Sequence, residues 1–230
     1  MGDRMRTIEC AIAVVALSAM ACVASGQLLS GSVGVTSSSV EWIYPGPDNP
    51  PAGRVKYAFS GKNRRSMTVA LGVQHTLTSW LALRTGAALV SKGFEVTGPT
   101  IQMRYLEVPA LVVLQTGRRG RLFVEGGVVG GLRTSCRRFF ETTTGVYQDG
   151  CGRSDYQGNI LPPLRISDVS WELGVGVSLI PFMGGRWGVV ARREGSLRDI
   201  QPGDYGKMIN RVVSLSLFYE RDLRRAAERR

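Results

Sequence analysis

The chain holds a single histidine, His75, and has no cluster of His, Cys, Asp and Glu at metal-ligand spacing and no glycine-rich phosphate loop. A hydrolase or acyltransferase needs a nucleophile with its base within reach, and a zinc site needs four converging donors. The sequence therefore reads as a non-enzyme with no metal and no cofactor. Long apolar runs are scarce too. After Ala11 to Val23, no segment approaches the ~20 apolar residues that a membrane-spanning helix requires. Acidic residues are outnumbered, 18 against 29 Lys and Arg, for a net charge of +11 and a pI near 10.1. Such a balance invites a nucleic-acid partner, but the export signal described next argues against one, and lipid phosphates are natural partners for Lys and Arg.

Residues 1 to 26 have the pattern of a removed signal peptide: Arg4 and Arg6, the apolar run, then the small residues Ala24-Ser25-Gly26 before Gln27. A membrane-anchoring helix is the alternative, and the run is short for one. Acylation of Cys22 is a second, although Ala19-Met20-Ala21-Cys22 lacks the usual Leu three residues before the cysteine. Cys10 and Cys22 would leave with the signal. Cys136 and Cys151 remain, 15 positions apart in one polar segment, and in an oxidising compartment they are expected to form a disulfide.

The mature chain alternates. Leu81, Leu83, Thr85, Ala87 and Leu89 interleave with Ala82, Arg84, Gly86 and Ala88, and Leu106, Val108, Ala110, Val112 and Leu114 with Tyr105, Glu107 and Pro109. Period two means strands. The same pattern recurs around Val33, Val69, Val124, Leu173, Val190 and Leu215. Short turns alternate with long polar stretches, the longest being residues 134 to 167. The expected fold is all-β, an eight-stranded antiparallel up-and-down transmembrane β-barrel with short periplasmic turns and long external loops. It spans residues 27 to 220, with a charged C-terminal tail at 221 to 230. Mean hydropathy near zero is no objection, because only half of each barrel strand is apolar.

Within this frame the charged residues share a phase with Gly and Ser. Arg84, Glu107, Glu125, Glu172 and Arg192 are expected to face inward as an ion-pair network that plugs the lumen. Paired carboxylates doing acid and base work, with Glu107 beside Glu125, are the catalytic alternative. Trp80, Trp171 and Trp187 stand near strand ends, as an aromatic girdle would, whereas in a sandwich they would be core. His75 falls in the outward phase at a turn end. Lys62, Arg64 and Arg65, together with Arg137, Arg138, Phe139 and Phe140, are candidates for surface binding, since basic and aromatic groups suit a binding face.

Ser91-Lys92-Gly93-Phe94 and Arg104-Tyr105-Leu106-Glu107-Val108-Pro109 also resemble the "kG … YLEIP" hairpin of the PorT-like family of small outer-membrane β-barrel proteins. Phe123-Val124-Glu125-Gly126-Gly127 is similar to that family's next strand, and Ala191 to Ile200 to its "RY..GL.NI" segment. The resemblance implies an integral outer-membrane protein of a Gram-negative cell envelope. One branch of the family is linked to a protein-secretion apparatus, so the implied role is structural, adhesive or secretion-accessory, with outer-membrane lipid and an envelope or secretion-machinery protein as partners and a monomeric state expected. A soluble periplasmic lipocalin-like carrier, or a narrow-pore channel, are the competing readings. The phase of the charged residues separates the first of these from a membrane barrel.

Overall fold

The computed structural model describes residues 27–43, 62–95, 99–116, 122–142, 145–150, 164–199 and 207–222. Nine strands follow in order: β1 (Gln27–Ile43), β2 (Lys62–Thr76), β3 (Leu81–Glu95), β4 (Pro99–Gln115), β5 (Leu122–Thr142), β6 (Gly145–Gly150), β7 (Ser167–Phe182), β8 (Gly185–Ser196) and β9 (Lys207–Asp222). Every pairing is antiparallel, in the order β4-β3-β2-β1-β9-β8-β7-β5, and β4 also pairs with β5. That last ladder closes an eight-stranded barrel, so the ring itself has no edge strand among the described residues. β6 stands outside the ring and pairs only with the end of β5, Thr142 against Gly145 through Arg137 against Gly150.

The outer face of the barrel is apolar, and its buried charged residues face the lumen. Met67, Leu71, Leu89, Leu173 and Leu215 are between 53% and 68% exposed on the outer face, while Gln74, Arg84, Lys92, Glu107, Glu125 and Asp168 are buried in the lumen. A water-soluble carrier barrel has the opposite arrangement, so the lipocalin-like reading conflicts with the side-chain phase. No helix among the described residues is long and apolar enough to cross a membrane.

The turn chemistry defines one end. β7 and β8 are joined by Met183 and Gly184, both at positive φ (50° and 78°), the two-residue turn that follows strand twist. Between β2 and β3, the Thr78 hydroxyl accepts hydrogen bonds from the amides of Trp80 and Leu81. At the other end the strands outrun the ~9–11 residues that a membrane-crossing strand needs. β5 has 21 and β4 has 17. The polar stretch from 134 is thus not all loop, because β5 continues to Thr142 and turns back into β6. β9 likewise carries the barrel through Arg221 and Asp222, which pair with Leu29 and Leu28, two residues past the expected boundary. Residues 1 to 26, Cys151 and the remaining tail, 223–230, lie outside the described residues.

Candidate functional site

The lumen is filled in layers. At the turn end, Ala82, Val113, Phe123, Val190 and Phe218 form an apolar cluster, with the Phe123 and Phe218 rings edge to face at 5.6 Å. Glycine seats these rings. A Cβ at Gly176 would lie 2.2 Å from Phe123, and one at Gly188 would lie 2.3 Å from Phe218.

Above it sits a first charged layer. Arg84 reaches Glu125 at 2.5 Å and Glu220 at 3.0 Å, donates to the Gln74 side-chain oxygen, and lies 5.0 Å from the centre of the Phe123 ring. Arg192 reaches the other oxygen of Glu125 at 2.6 Å and Glu172 at 3.2 Å. Glu125 is thus clamped between guanidinia from β3 and β8. The fork geometry of Arg suits such a bridge better than an ammonium would.

A second charged layer lies toward the loop end. The Lys92 ammonium is 2.5 Å from Glu107 and from Glu194 and 3.7 Å from Asp168, with the Tyr105 ring 5.1 Å away. Ser170 donates to Glu194, and Ser196 and Asn210 donate to Asp168. Over this layer Val40, Phe94, Ile101, Met103, Tyr105 and Met208 form a second apolar cluster. Between the two charged layers is a cavity of about 50 Å³, lined in part by Glu107, Glu172, Arg192 and Glu194. At ~10–15 Å³ per water it has room for roughly three to five.

Four of the five expected lumen residues, Arg84, Glu125, Glu172 and Arg192, meet in one network, whereas Glu107 belongs to the other. It faces Lys92 rather than Arg84 or Arg192, because Ala88 and Glu107 are opposite each other four residues from Arg84 along β3. Nor does Glu107 pair with Glu125, as each faces a cation of its own. Lys92, Asp168, Glu194 and Glu220 were not singled out in the sequence as lumen residues. Lys92 carried a signal all the same: Lys92, Tyr105 and Glu107 are residues of the segments that carry the family resemblance, and inside the barrel the Lys92 ammonium lies against both of the others.

Of the surface candidates, Arg65 and Arg137 are exposed, and Arg64 is half-buried with its guanidinium 6.0 Å from the centre of the Phe139 ring. Arg138 is not a surface residue. It is 2% exposed, since β5 continues and its inward phase puts Arg138 level with the buried Ile101. The side chains of Lys62 and Phe140 are outside the described residues, although both positions lie on strands. Trp80 and Trp187 are exposed at the turn end, where Trp187 stacks on Tyr219 at 5.2 Å. Trp171 is half-buried toward the loop end and lies against Gly195. His75 is half-buried near the turn end of β2. Cys136 is on β5 opposite Met103.

No family model and no curated protein sequence matches the chain. Among solved structures, it is similar to the attachment invasion locus protein Ail of Yersinia pestis, at 16% identity over 85% of this chain and 99% of that one, with a TM-score of 0.43. It is similar to the outer membrane protein OprG of Pseudomonas aeruginosa at 9% identity, over 85% and 96% of the two chains, with a TM-score of 0.44. Neisserial surface protein A aligns at 6% identity, over 83% and 95%, with a TM-score of 0.40.

Proposed function

We propose that the chain is an integral outer-membrane β-barrel whose lumen is plugged and does not conduct, and whose role is binding or structural support at the cell surface rather than catalysis. The observation that carries this is the filling of the lumen. Two apolar clusters and two ion-pair layers cross the barrel, and the cavity between them has room for only a few waters. A small barrel has an interior just wide enough for side chains to fill. Every lumen carboxylate named above lies within ion-pairing distance of a cation, which leaves none poised as a free base. Export by removal of residues 1 to 26 belongs to the same reading.

The purified barrel, reconstituted in a planar bilayer, should give no steady single-channel conductance, while its electrophoretic mobility should shift on boiling. A reproducible open level would overturn the plug and restore the narrow-pore alternative. A band in the soluble fraction without a heat-dependent shift would overturn the membrane barrel.

The binding surface is assigned to the β5–β6 hairpin, with Arg137 exposed on it, and a disulfide between Cys136 and Cys151 as its brace. The register supports that brace: Arg137 is opposite Gly150, and Cys136 and Cys151 are their neighbours in the sequence. The PorT-like resemblance fits the same picture, because all three of its segments contribute to the plug, through Lys92, Tyr105 and Glu107, through Glu125, and through Arg192, Glu194 and Ser196. An adhesion or secretion-accessory partner is tested by crosslinking on intact cells. Replacing residues 137 to 150 with a short Gly-Ser linker should leave the barrel inserted and remove the crosslinks. Crosslinks that all persist would move the working surface to the region of Lys62, Arg64 and Arg65.

A further inference from the structure

We infer that the outer face of β8, β9, β1 and β2 at the loop end binds a phosphorylated, acylated lipid of the outer leaflet through Arg65, Arg193 and Arg211. This rests on the outer-membrane reading above and gives it one specific lipid partner. Two successive outward rows build the surface. One runs Leu173, Arg193, Val213, Ser37 and Arg65 across β7, β8, β9, β1 and β2. The next, one outward step closer to the loops, runs Trp171, Gly195, Arg211 and Ser39.

With strands about 4.8 Å apart, Arg65 and Arg193 stand roughly 14 Å from each other, three strands apart. Arg211 is a diagonal neighbour of Arg193, about 7–8 Å away. All three are exposed. Among the described residues, Arg65 and Arg193 have no acidic partner, and Arg211 is held by Glu41, which leaves the patch at a net charge of about +2. Ser37 and Ser39 keep the floor between the guanidinia shallow. A Cβ at Gly195 would lie 2.8 Å from the Trp171 indole nitrogen, so the ring forms one wall.

Just below, Val35, Val213 and Leu215 are more than half exposed. An outward Arg bordered by Leu173 and Val213 is unfavourable against bare hydrocarbon, and the level of Trp171, an interfacial aromatic, is where phosphate becomes available to it. Guanidinium matches phosphate oxygens in bidentate fashion, while the Val and Leu surface beneath suits acyl chains. Charge and apolar area together therefore select an anionic lipid over an acidic protein.

The test uses the full mature chain folded in a non-ionic maltoside micelle, with lipid binding read by native mass spectrometry. The probes are a diphosphorylated acylated glycolipid and the same lipid after dephosphorylation. The phosphorylated form should be retained and the dephosphorylated form lost. An Arg65→Ser, Arg193→Ser double variant should bind at least about tenfold more weakly, in keeping with the loss of charge-assisted hydrogen bonds. Ser39→Glu, which puts a carboxylate in the middle of the patch, should have the same effect. Arg104→Ser, exposed on β4 away from the patch, should bind as the parent does. Equal retention of the two lipids, undiminished binding by both patch variants, or displacement by excess inorganic phosphate would overturn the inference. A heat-dependent mobility shift in each sample separates these outcomes from failure of the barrel itself.

Discussion

Replacing Lys92 with Met tests the plug at its most exposed point of logic, since one ammonium serves three carboxylates. The Lys92 side chain is 1% exposed and lies 2.5 Å from both Glu107 and Glu194. At an effective dielectric of about 20, a contact of that length is worth roughly 6–7 kcal/mol in gross Coulomb energy. Most of this is offset by the several kcal/mol needed to desolvate each ion. What the substitution exposes is the remainder: Glu107, Glu194 and Asp168 stay buried, lose their shared cation, and repel one another. Breaking a buried pair in this way costs about 3–5 kcal/mol. Met keeps most of the volume, so a cavity adds little. The adjacent cavity of about 50 Å³, which has room for a few waters, favours the lower half of that range.

Urea unfolding in lipid vesicles, followed by Trp fluorescence and by the unboiled mobility shift, would read the loss. Adding Glu107→Gln and Glu194→Gln to Lys92→Met should recover much of it, because amides bury without charge. If Lys92→Met unfolds within about 1 kcal/mol of the parent, or if the two Gln substitutions worsen the defect, the loop-end layer is not an ion-pair network in the folded barrel.

Other expectations follow from the same geometry. Arg192→Ala should cost about 2–3 kcal/mol in the same unfolding assay, less than Lys92→Met because Glu125 keeps Arg84, while Arg118→Ala, between two glycines in the sequence segment Gly117-Arg118-Arg119-Gly120, should stay within about 0.5 kcal/mol; equal effects would remove support for the turn-end layer. Leu215→Arg on the outer face should cost about 2–4 kcal/mol near the bilayer midplane, and an effect below 1 kcal/mol would mean that the face does not meet lipid. Ser216→Arg should be at least as harmful, since Ser216 is 1% exposed and its hydroxyl sits 2.2 Å from where a Gly34 Cβ would be, which leaves the lumen no spare room there. Gly188→Val should lower stability by about 1–3 kcal/mol by colliding with the Phe218 ring, and a neutral result would show that the ring cluster is loosely packed.

The strands, their phase and the inside-out polarity were legible in the linear sequence, because a period of two is a local property and the apolar outer row marks it wherever lipid demands it. Trp80, Trp187 and the ring of inward charges could be read for the same reason. Beyond the apolar band that signal fades. Arg138 stands in the long polar stretch and reads as a loop residue, while Lys92, Asp168 and Glu220 stand at the margins of the alternating runs. Which carboxylate meets which cation is decided across the lumen, between residues as far apart as Arg84 and Glu220. Those meetings depend on how β4 closes onto β5 and on the stagger of each ladder. Sequence alone determined that charges line the inside. Only closure of the barrel decided that they divide into two layers, with Glu107 drawn to Lys92 and Glu125 held between two arginines, because pairing across a closed sheet is set by register rather than by neighbours along the chain.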